Sequence, residues 1–396
     1  MKKVIYLDNN ATTKVDPEVL DAMLPFLRDS YGNPSSIHSF GGNIGRDIDK
    51  ARQNVADLVG AENDYEIVFT GTGTESDNLA LLGTVAYYKE KNHIITTRVE
   101  HPAILSLCKK LERDGYRVTY VPVDREGNLD VEMLRDTVND DTAIVSVMYA
   151  NNETGVINPV EEIGAFLKER GIQFHIDAVQ GAGKMSLDVN KFHCNLLSLS
   201  AHKFHGPKGI GALYVRRGTR MRPILHGGHQ EKGRRPGTEN VAGIVGMGKA
   251  AELALKHLPD EKRVRMLRDK LENGILKAFK NSHLNGDKEK RVPNTTNIGF
   301  EYIEGEAILL YLDERRIAAS SGSACSSGSL EPSHVLRAMG VPFTSAHGSI
   351  RFSLSRFNIE EEIDYVLSVM PEVVNKLLEI SPYWDNEKQE GKPISI

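Results

Sequence analysis

Short apolar runs rich in β-branched residues alternate with longer amphipathic stretches over roughly the first half of the chain. The runs predict strands at Glu66–Thr70, His93–Thr97, Arg117–Val121, Ala143–Met148, Gln173–Asp177, Leu196–Ser200 and Ala212–Val215. Between most of them apolar residues recur at a spacing of three to four, as in Val160–Arg170, which predicts helices. This rhythm predicts an α/β fold with a mainly parallel seven-stranded sheet and helices on both faces.

The pattern changes near residue 256, where charge-rich helical sequence over Asp260–Lys280 replaces the alternation. We predict a large domain over residues 14–258 and a smaller α+β domain formed by residues 1–13 and 259–384. The smaller domain contains a segment rich in serine and glycine, for which we predict a mobile loop over residues 321–333. The polar tail over residues 385–396 is expected to be frayed.

Composition narrows the class of protein. The chain has 396 residues, of which 40% are hydrophobic and 26% charged, as in ordinary globular proteins. A net charge of −5 gives no basic field, so we expect no direct binding of nucleic acid. Three cysteines cannot form a disulfide framework and favour a reducing compartment. With no signal peptide, membrane span or metal motif apparent, a cytoplasmic enzyme without an intrinsic metal is expected.

Two ionisable residues follow directly on buried strands. Lys203 comes just after Leu196–Ser200, where its charge must be paired or its pKa lowered, and a lowered pKa would make the amine a nucleophile for Schiff-base formation. Asp177 closes the strand before it, where a carboxylate can pair with a pyridinium nitrogen. Taken alone, Lys203 is equally well read as an exposed loop lysine, and Asp177 as a turn former.

A glycine-rich turn, FTGTGTESDN, follows the first large-sheet strand. Gly71 and Gly73 allow backbone amides to face an anion, and a helix beginning at about Thr74 would add positive potential. Thr74 and Ser76 could donate from their hydroxyl groups. Without a third glycine at the dinucleotide spacing, a single phosphate is the expected ligand. The alternative is a plain N-cap at Thr74.

Two further polar motifs complete the set of strand ends. In VEHPA, His101 stands before a proline that can open a helix, and its ring could stack on a flat cofactor or relay protons, or serve structure alone. In YANNETG, Asn151 and Asn152 offer amide groups or simply form a turn. All these signals fall at carboxyl ends of strands, where α/β sheets bind ligands. Together they predict a pyridoxal 5′-phosphate (PLP) site.

The chain resembles the cysteine desulfurases of the aminotransferase class V group, which belong to the fold type I PLP enzymes. The resemblance is carried by the segments YLDNNATT, GNPSSIHSFG, GTGTESDN, VEHPA, NNETG, HIDAVQ, SAHKFHGPKGIG, GGHQEKGRRPGTEN, SSGSACSSG and SIRFSLSR. It extends from about residue 5 to residue 384. The segments EYIEGEAILL and SSGSACSSGSLEPSHVLRAMG resemble most closely the nitrogenase-type branch, NifS.

The resemblance implies a role for each matching residue. Lys203 is implied to hold PLP as a Schiff base, His101 to stack on the ring and Asp177 to pair with the pyridine nitrogen. Gln180 is implied to contact the ring hydroxyl. The residues implied to hold the phosphate are Gly73, Thr74, Ser200 and His202, with Thr238 reaching the phosphate of the other subunit's cofactor. Substrate binding is implied for Asn152 and Arg351, since a guanidinium suits an α-carboxylate.

Cys325 is implied to carry the sulfur. In the expected reaction Lys203 removes the Cα proton of L-cysteine, with His101 a candidate proton relay. The Cys325 thiolate then takes the substrate sulfur as a persulfide, and L-alanine leaves. A Ser/Gly-rich tether suits a nucleophile that must visit two places. Cys108 and Cys194 lie in apolar surroundings and are predicted to be core residues.

The resemblance further implies a homodimer with shared active sites and an iron–sulfur scaffold protein of the NifU or IscU type as sulfur acceptor, with a link to nitrogen fixation. A class V aminotransferase and a selenocysteine lyase remain alternatives, because both use the same lysine, aspartate and phosphate cradle. A non-catalytic interaction module and a factor that supplies sulfur for tRNA modification are the other classes considered. A Cys325→Ala variant distinguishes desulfuration from transamination.

Overall fold

The computed structural model of the chain describes residues 4–321, 332–385, 388 and 390–391. Its strands, in chain order, are β1 (Ile5–Tyr6), β2 (Ile67–Thr70), β3 (His93–Thr97), β4 (Arg117–Val121), β5 (Thr142–Met148), β6 (Gln173–Asp177), β7 (Leu196–Ser200), β8 (Gly211–Val215), β9 (Ser282–Leu284), β10 (Thr295–Phe300), β11 (Ile317–Ala318), β12 (Ser320–Ser321), β13 (Ser349–Ser353), β14 (Trp384–Asp385) and β15 (Glu390–Gly391).

The helices, again in chain order, are α1 (Pro17–Arg28), α2 (Ser39–Gly42), α3 (Gly45–Val59), α4 (Gly73–Tyr87), α5 (Pro102–Arg113), α6 (Val131–Thr137), α7 (Val160–Arg170), α8 (Val241–His257), α9 (Glu261–Ala278), α10 (Gly305–Glu314), α11 (His334–Ala338), α12 (Phe343–His347) and α13 (Glu360–Ile380). Several have clear sequence signals at their ends. Pro102 opens α5, and Gly60 and Gly171 end α3 and α7 in the left-handed conformation. Within the described ranges, no helix is both long and apolar enough to cross a membrane.

Strands β2 to β8 form one sheet in the spatial order β2-β8-β7-β6-β5-β3-β4. The pairs are parallel except those of β8, which runs antiparallel to β2 and to β7. Strand β2 is therefore parallel to β7, and the carboxyl ends of β2, β3, β5, β6 and β7 lie at one edge of the sheet. The predicted seven-stranded, mainly parallel sheet is confirmed, with each strand within one residue of its predicted bounds.

Apolar clusters cover both faces of this sheet. In β5, Val145 and Val147 join a cluster on one face, whereas Ile144 joins a cluster on the other, as the alternation of side chains along a strand requires. The first cluster includes residues of α3, α7 and α8, and the second includes residues of α4 and α5. The predicted placement of helices on both faces is thus confirmed.

A second, antiparallel sheet has the order β12-β13-β10-β9. It supports a separate apolar cluster that combines strand residues with residues of α9 and α13, such as Ile298, Phe352, Leu271 and Val373. Leu7, near the start of the chain, belongs to this cluster. The division into two domains at residues 258 and 259 stays a prediction, and the grouping of Leu7 with the later residues supports it.

Two predicted boundaries change. Ser321 lies in β12 and Ser333 caps α11, so both ends of the predicted loop 321–333 belong to regular structure. The cause is backbone pairing of Ser321 with Ile350 in β13 and a side-chain cap at Ser333. The tail is not frayed throughout, because β14 pairs with β15. Residues 322–331, including Cys325, lie outside the described residues.

A buried ion pair links α9 to the chain just before β10. Arg291 donates to both carboxylate oxygens of Glu272, at 2.6 and 2.7 Å, and Thr296 donates to the same carboxylate. Both charged side chains are almost fully buried, with exposures of 2% and 3%. Removing one member of such a pair leaves the other charge buried without compensation.

We therefore expect Glu272→Gln to lower the free energy of unfolding by about 3–5 kcal/mol, because Arg291 loses its buried counter-charge. Urea denaturation measures the loss. The matched control is Glu252→Gln, which removes an exposed ion pair with Lys249 and is expected to cost at most about 1 kcal/mol. Equal losses in free energy of unfolding would contradict the conclusion that the buried pair stabilises the fold more than the exposed pair does.

Candidate active site

A cavity of about 500 Å³ opens at the edge where the carboxyl ends of the strands meet. Most of the residues singled out from the sequence line it: Gly73, Thr74, His101, Asn152, Asp177, Gln180, Ser200, His202, Lys203 and Arg351. The remaining lining residues include Asp8, Asn10 and Asp77, to which the sequence analysis assigned no role. The predicted convergence of strand ends on one site is therefore what the fold produces.

The glycine-rich turn forms the amino end of α4 beside β7. A Cβ atom at Gly73 would lie 3.1 Å from Ser200 Cβ and 3.1 Å from Val179 Cγ2, so a larger residue would crowd this corner. Because the first backbone amides of a helix lack partners inside the helix, they form an anion-binding end. Thr74 and Ser200, which both line the cavity, bring hydroxyl groups to the same corner.

The alternative reading of Thr74 as the helix cap is wrong. The cap is Thr72, whose extended backbone precedes the helix and whose Oγ1 accepts the amide hydrogen of Glu75. Helix α4 therefore starts one residue earlier than predicted, at Gly73, and Thr74 lies in its first turn. Ser76 is also corrected, since its hydroxyl is buried against Thr70 Oγ1 at 2.7 Å and does not line the cavity.

Lys203 sits at the end of a 3₁₀ turn, Ala201–Lys203, that follows β7 directly. Its Nζ donates to the backbone oxygens of Asn10, at 2.5 Å, and Ala11, at 2.8 Å. Both carbonyl groups accept from the ammonium at the cavity wall. His202, on the same turn, contacts Thr12 Oγ1 through Nδ1 at 3.1 Å. Burial, with the nearby lysines, lowers the pKa of His202 to about 4, so its ring is neutral.

Three buried carboxyl groups lie near the floor of the cavity. Asp177 accepts the amide hydrogen of Val179 at 3.0 Å, and burial raises its pKa to about 6. Burial raises the pKa of Glu100 to about 8 and that of Asp77 well above its usual range, with Asp177 contributing to both shifts. Asp77 Oδ1 and Glu100 Oε2 have no hydrogen-bond partner among the described residues. Burial therefore favours the protonated form of all three carboxyl groups more than solvent would.

His101 caps the amino end of α5, where its Nδ1 accepts the amide hydrogen of Ala103 at 3.1 Å. Burial, with Lys203 and His334 nearby, lowers its pKa to about 4. The neutral ring with an accepting Nδ1 must carry its hydrogen on Nε2. His101 thus combines the structural role considered from the sequence with a place in the cavity wall.

The guanidinium of Arg351 lies opposite, on β13. Its Nη2 donates to Asp8 Oδ1 at 2.7 Å and its Nη1 to the backbone oxygen of Asn152 at 3.0 Å. Its buried Nε has no partner among the described residues. The neighbouring Asn151 is a turn former, because its Oδ1 accepts from the amides of Glu153 and Thr154. The turn reading was correct for Asn151, whereas Asn152 lines the cavity.

Gln180 belongs to a cluster of buried polar side chains that connects the large sheet with the second sheet. Its Nε2 donates to the backbone oxygen of Asn10 at 3.1 Å, and its Oε1 accepts from Lys184 Nζ at 2.5 Å. The side chain of Asn10 contacts Lys184, Thr295 and Asn294. Sequence reasoning missed Asn10 and Lys184. The signal for Asn10 was its place in YLDNNATT, and Lys184 offered only a lysine soon after HIDAVQ.

Among the predicted site residues that the structure describes, Thr238 is not brought into the cavity. Thr238 is exposed and lines a separate cleft together with Gly71 and Arg235. Its role at another subunit's cofactor stays a prediction, as does the sulfur-carrying role of Cys325, which lies outside the described residues. Cys108 and Cys194 are buried, as predicted, and burial raises the pKa of each thiol to about 12, which makes both unreactive.

Comparison with known proteins gives a consistent result. The aminotransferase class-V family matches residues 5–366. A cysteine desulfurase of Trichormus azollae is 59% identical over 97% of this chain and 96% of its own length. The cysteine desulfurase NifS of Azotobacter vinelandii is 56% identical over 96% of this chain and 95% of its own. A solved NifS-like protein superposes with a TM-score of 0.89 at 41% identity, covering 95% of this chain and all of that one.

A lysine and a carboxylate at the ends of adjacent parallel strands, beside an anion-binding helix end, define an α/β enzyme of the fold type I PLP class. The residues present fit that cofactor, since the glycine corner at Gly73 leaves room for a phosphate and Asp177 offers a buried carboxylate. The chain belongs to the aminotransferase class V family. Its resemblance to the cysteine desulfurases, including NifS, is confirmed.

We expect Asp177→Asn to weaken PLP binding about 100-fold or more, because the pyridinium that the resemblance pairs with Asp177 would lose a buried counter-charge. Binding is measured by titrating the apo protein with PLP and following the visible absorbance. Asp188→Asn is the matched control. Like Asp177, Asp188 accepts the backbone amide hydrogen of the residue two positions later, but it does not line the cavity. Similar losses in both variants would count against the assignment.

Proposed function

We propose that this protein is a PLP-dependent cysteine desulfurase that converts L-cysteine to L-alanine and carries the sulfur away as a Cys325 persulfide. The observation that supports this most is the meeting of Lys203, Asp177 and Arg351 in one cavity. An amine, a buried carboxylate and a guanidinium are the groups that a PLP enzyme needs for an amino acid substrate. The relatives named cysteine desulfurase, at 59% and 56% identity, support the choice of substrate.

The proposed cofactor site uses residues from four strand ends. Lys203 would bind PLP covalently, Asp177 would pair with its pyridine nitrogen, and His101 would stack on its ring. Gln180 would donate to the ring oxygen. The phosphate would be held by Gly73, Thr74, Ser200 and His202. When bound, PLP supplies an electron sink for the electron pair left at Cα once its proton is removed.

Arg351 and Asn152 would hold the substrate. The Arg351 side chain is only 6% exposed, and its Nε, which has no partner among the described residues, can donate to a carboxylate. Asp8 already pairs with Nη2, so the guanidinium is fixed in direction before substrate arrives. A fixed, partly desolvated guanidinium is a strong site for a planar α-carboxylate.

Proton movement would run through Lys203 and His101. The Lys203 amine is at the cavity wall, where it would take up the Cα proton of the bound amino acid. His101 carries its hydrogen on Nε2, because Nδ1 is used by the Ala103 amide. It can therefore donate a hydrogen bond from Nε2. As a relay it would take up a proton at Nδ1, which must first release the Ala103 amide, and give one up from Nε2. Glu100, next to it in sequence, has a pKa raised by burial to about 8 and accepts from the amide of Met148.

Cys325 would take the sulfur. Its thiolate attacks the substrate sulfur, the carbon–sulfur bond breaks, and the carbon keeps the electron pair and gains a proton to become the alanine methyl group. The thiol of Cys325 becomes a persulfide, so atoms and electrons balance without an external oxidant. Ser320 lines the cavity, and Cys325 follows Ser321 by four positions in the sequence. A step of four positions spans at most about 14 Å at ~3.5 Å per residue, which supports the role proposed for Cys325.

We further propose a homodimer with shared active sites. Large apolar side chains are exposed on α1 and just after it, including Leu27, Tyr31, Ile37 and Phe40. A monomer gains nothing from exposing them, whereas a second copy would cover them. The segment that carries Thr238 is anchored by Glu231, which accepts from Arg52 at 2.7 Å. A fixed segment with an exposed threonine is suited to reach another subunit's cofactor phosphate.

The proposed sulfur acceptor is an iron–sulfur scaffold protein of the NifU or IscU type, in the cytoplasm. The similarity to NifS of Azotobacter vinelandii supports this choice and the proposed link to nitrogen fixation. The sparse cysteines of the chain also suit a reducing compartment.

The test measures alanine and sulfide released from L-cysteine with a reducing thiol present, in wild type and in Cys325→Ala. We expect equal amounts of alanine and sulfide from wild type and a loss of at least about 100-fold in the variant, because the sulfur carrier is removed. Both proteins should keep the yellow cofactor. Cys108→Ala is the control, since that thiol is buried and unreactive.

Other outcomes would identify the alternatives. Equal cysteine turnover in wild type and Cys325→Ala would overturn the persulfide route. Amino-group transfer to 2-oxo acids that survives in Cys325→Ala would instead identify an aminotransferase. Strong preference for selenocysteine over cysteine would identify a selenocysteine lyase.

A further inference from the structure

Lys184 is a second lysine at the site, and its side chain lies behind the cavity wall. The residue is 7% exposed and follows β6 by seven positions. Its Nζ donates to Gln180 Oε1 at 2.5 Å and to Asn10 Oδ1 at 3.0 Å. Both of these partners are neutral amide oxygens, so the ammonium is held by dipoles.

An ammonium group can only donate hydrogen bonds, and this fixes the direction of both amides. The atom of Gln180 that faces Lys184 has to be the oxygen, so the amide nitrogen turns the other way. That nitrogen donates one hydrogen to the backbone oxygen of Asn10, which also accepts from Lys203. The same constraint directs the Asn10 nitrogen to the backbone oxygen of Asn152.

We propose that Lys184 is a positioning residue, whose buried charge presents Gln180 to the cavity as a hydrogen-bond donor. The proposal rests on the proposed PLP site and deepens it. A donor at Gln180 suits a negatively charged ring oxygen of the cofactor, whereas a flipped amide would present an oxygen and repel it. The positive charge of Lys184 also favours that anion directly.

The charged groups around Lys184 come from several elements. Lys203 and Arg351 add positive charge, and Glu261, at the start of α9, is the nearby acid. Burial, together with Lys203, lowers the pKa of Lys184 to about 7. A negatively charged ring oxygen would raise the pKa again, so cofactor binding and the charge of Lys184 support each other.

The first variant is Lys184→Met, studied as the full chain reconstituted with PLP. We expect PLP binding to weaken about tenfold, because Gln180 loses the contact that fixes its direction. The pH at which the visible band of the bound cofactor changes should rise by about one unit, because a positive charge near Lys203 is removed. Lys191→Met, an exposed lysine after the same strand, is the matched control.

A double-mutant cycle with Gln180→Leu tests whether Lys184 acts through Gln180. We expect the loss of affinity in Lys184→Met with Gln180→Leu to be smaller than the product of the two single losses. Losses that simply multiply would contradict the coupling. Should Lys184→Met fail to fold, Lys184→Gln keeps a donor in the polar surroundings and should still raise the transition pH, because the charge is lost.

The outcomes separate this inference from the proposed function. A wild type that gives no visible band with PLP would overturn the cofactor assignment itself. A wild type with the band, together with Lys184 variants that match Lys191→Met in affinity and in transition pH, would overturn the role of Lys184 alone. A change in thermal stability without either shift would show a purely structural lysine.

Discussion

The sharing of Asn10 by two lysines, Lys184 buried and Lys203 half-buried, is the constraint on which the site depends. Lys203 donates to the backbone oxygen of Asn10 and Lys184 to its side-chain oxygen. The side-chain nitrogen of Asn10 donates to Thr295 Oγ1 and to the backbone oxygen of Asn152. One asparagine near the start of the chain thus accepts from two lysine ammonium groups and links the large sheet to the second sheet. Without it, each ammonium group would lose an acceptor, at the greater cost for the buried Lys184.

The sheet supplies the rest of the arrangement. Because β8 runs antiparallel to both neighbours, β2 becomes parallel to β7, and the glycine corner of α4 meets Ser200 at the same edge as Asp177. At this edge, positively and negatively charged groups lie around one cavity. Burial shifts their charge, because it lowers the pKa of His101 and raises the pKa values of Glu100 and Asp177. The chemistry proposed for the protein follows from that distribution.

Much of this could be predicted from the sequence, because a strand end is a local signal. Asp177, Lys203 and His101 each follow a short apolar run, and parallel strands bring such positions together whatever lies between them. The helix cap considered from the sequence, Thr74, lies two residues after the actual cap, Thr72, because Gly73 is itself helical. The positions of Asn10 and Lys184 could not be predicted, since each acquires its role only through contacts with residues distant in the chain. No local pattern distinguishes a lysine that orients an amide from an exposed one.

The central claim is that Lys203 is the lysine that binds the cofactor, while Lys184 supports the site from behind. Borohydride reduction of the PLP-loaded protein makes the lysine–cofactor bond permanent, and peptide mass spectrometry then locates it. The account predicts the label on Lys203. A label on Lys184 or on any other lysine, or no label at all in protein that retains its yellow colour, would contradict it.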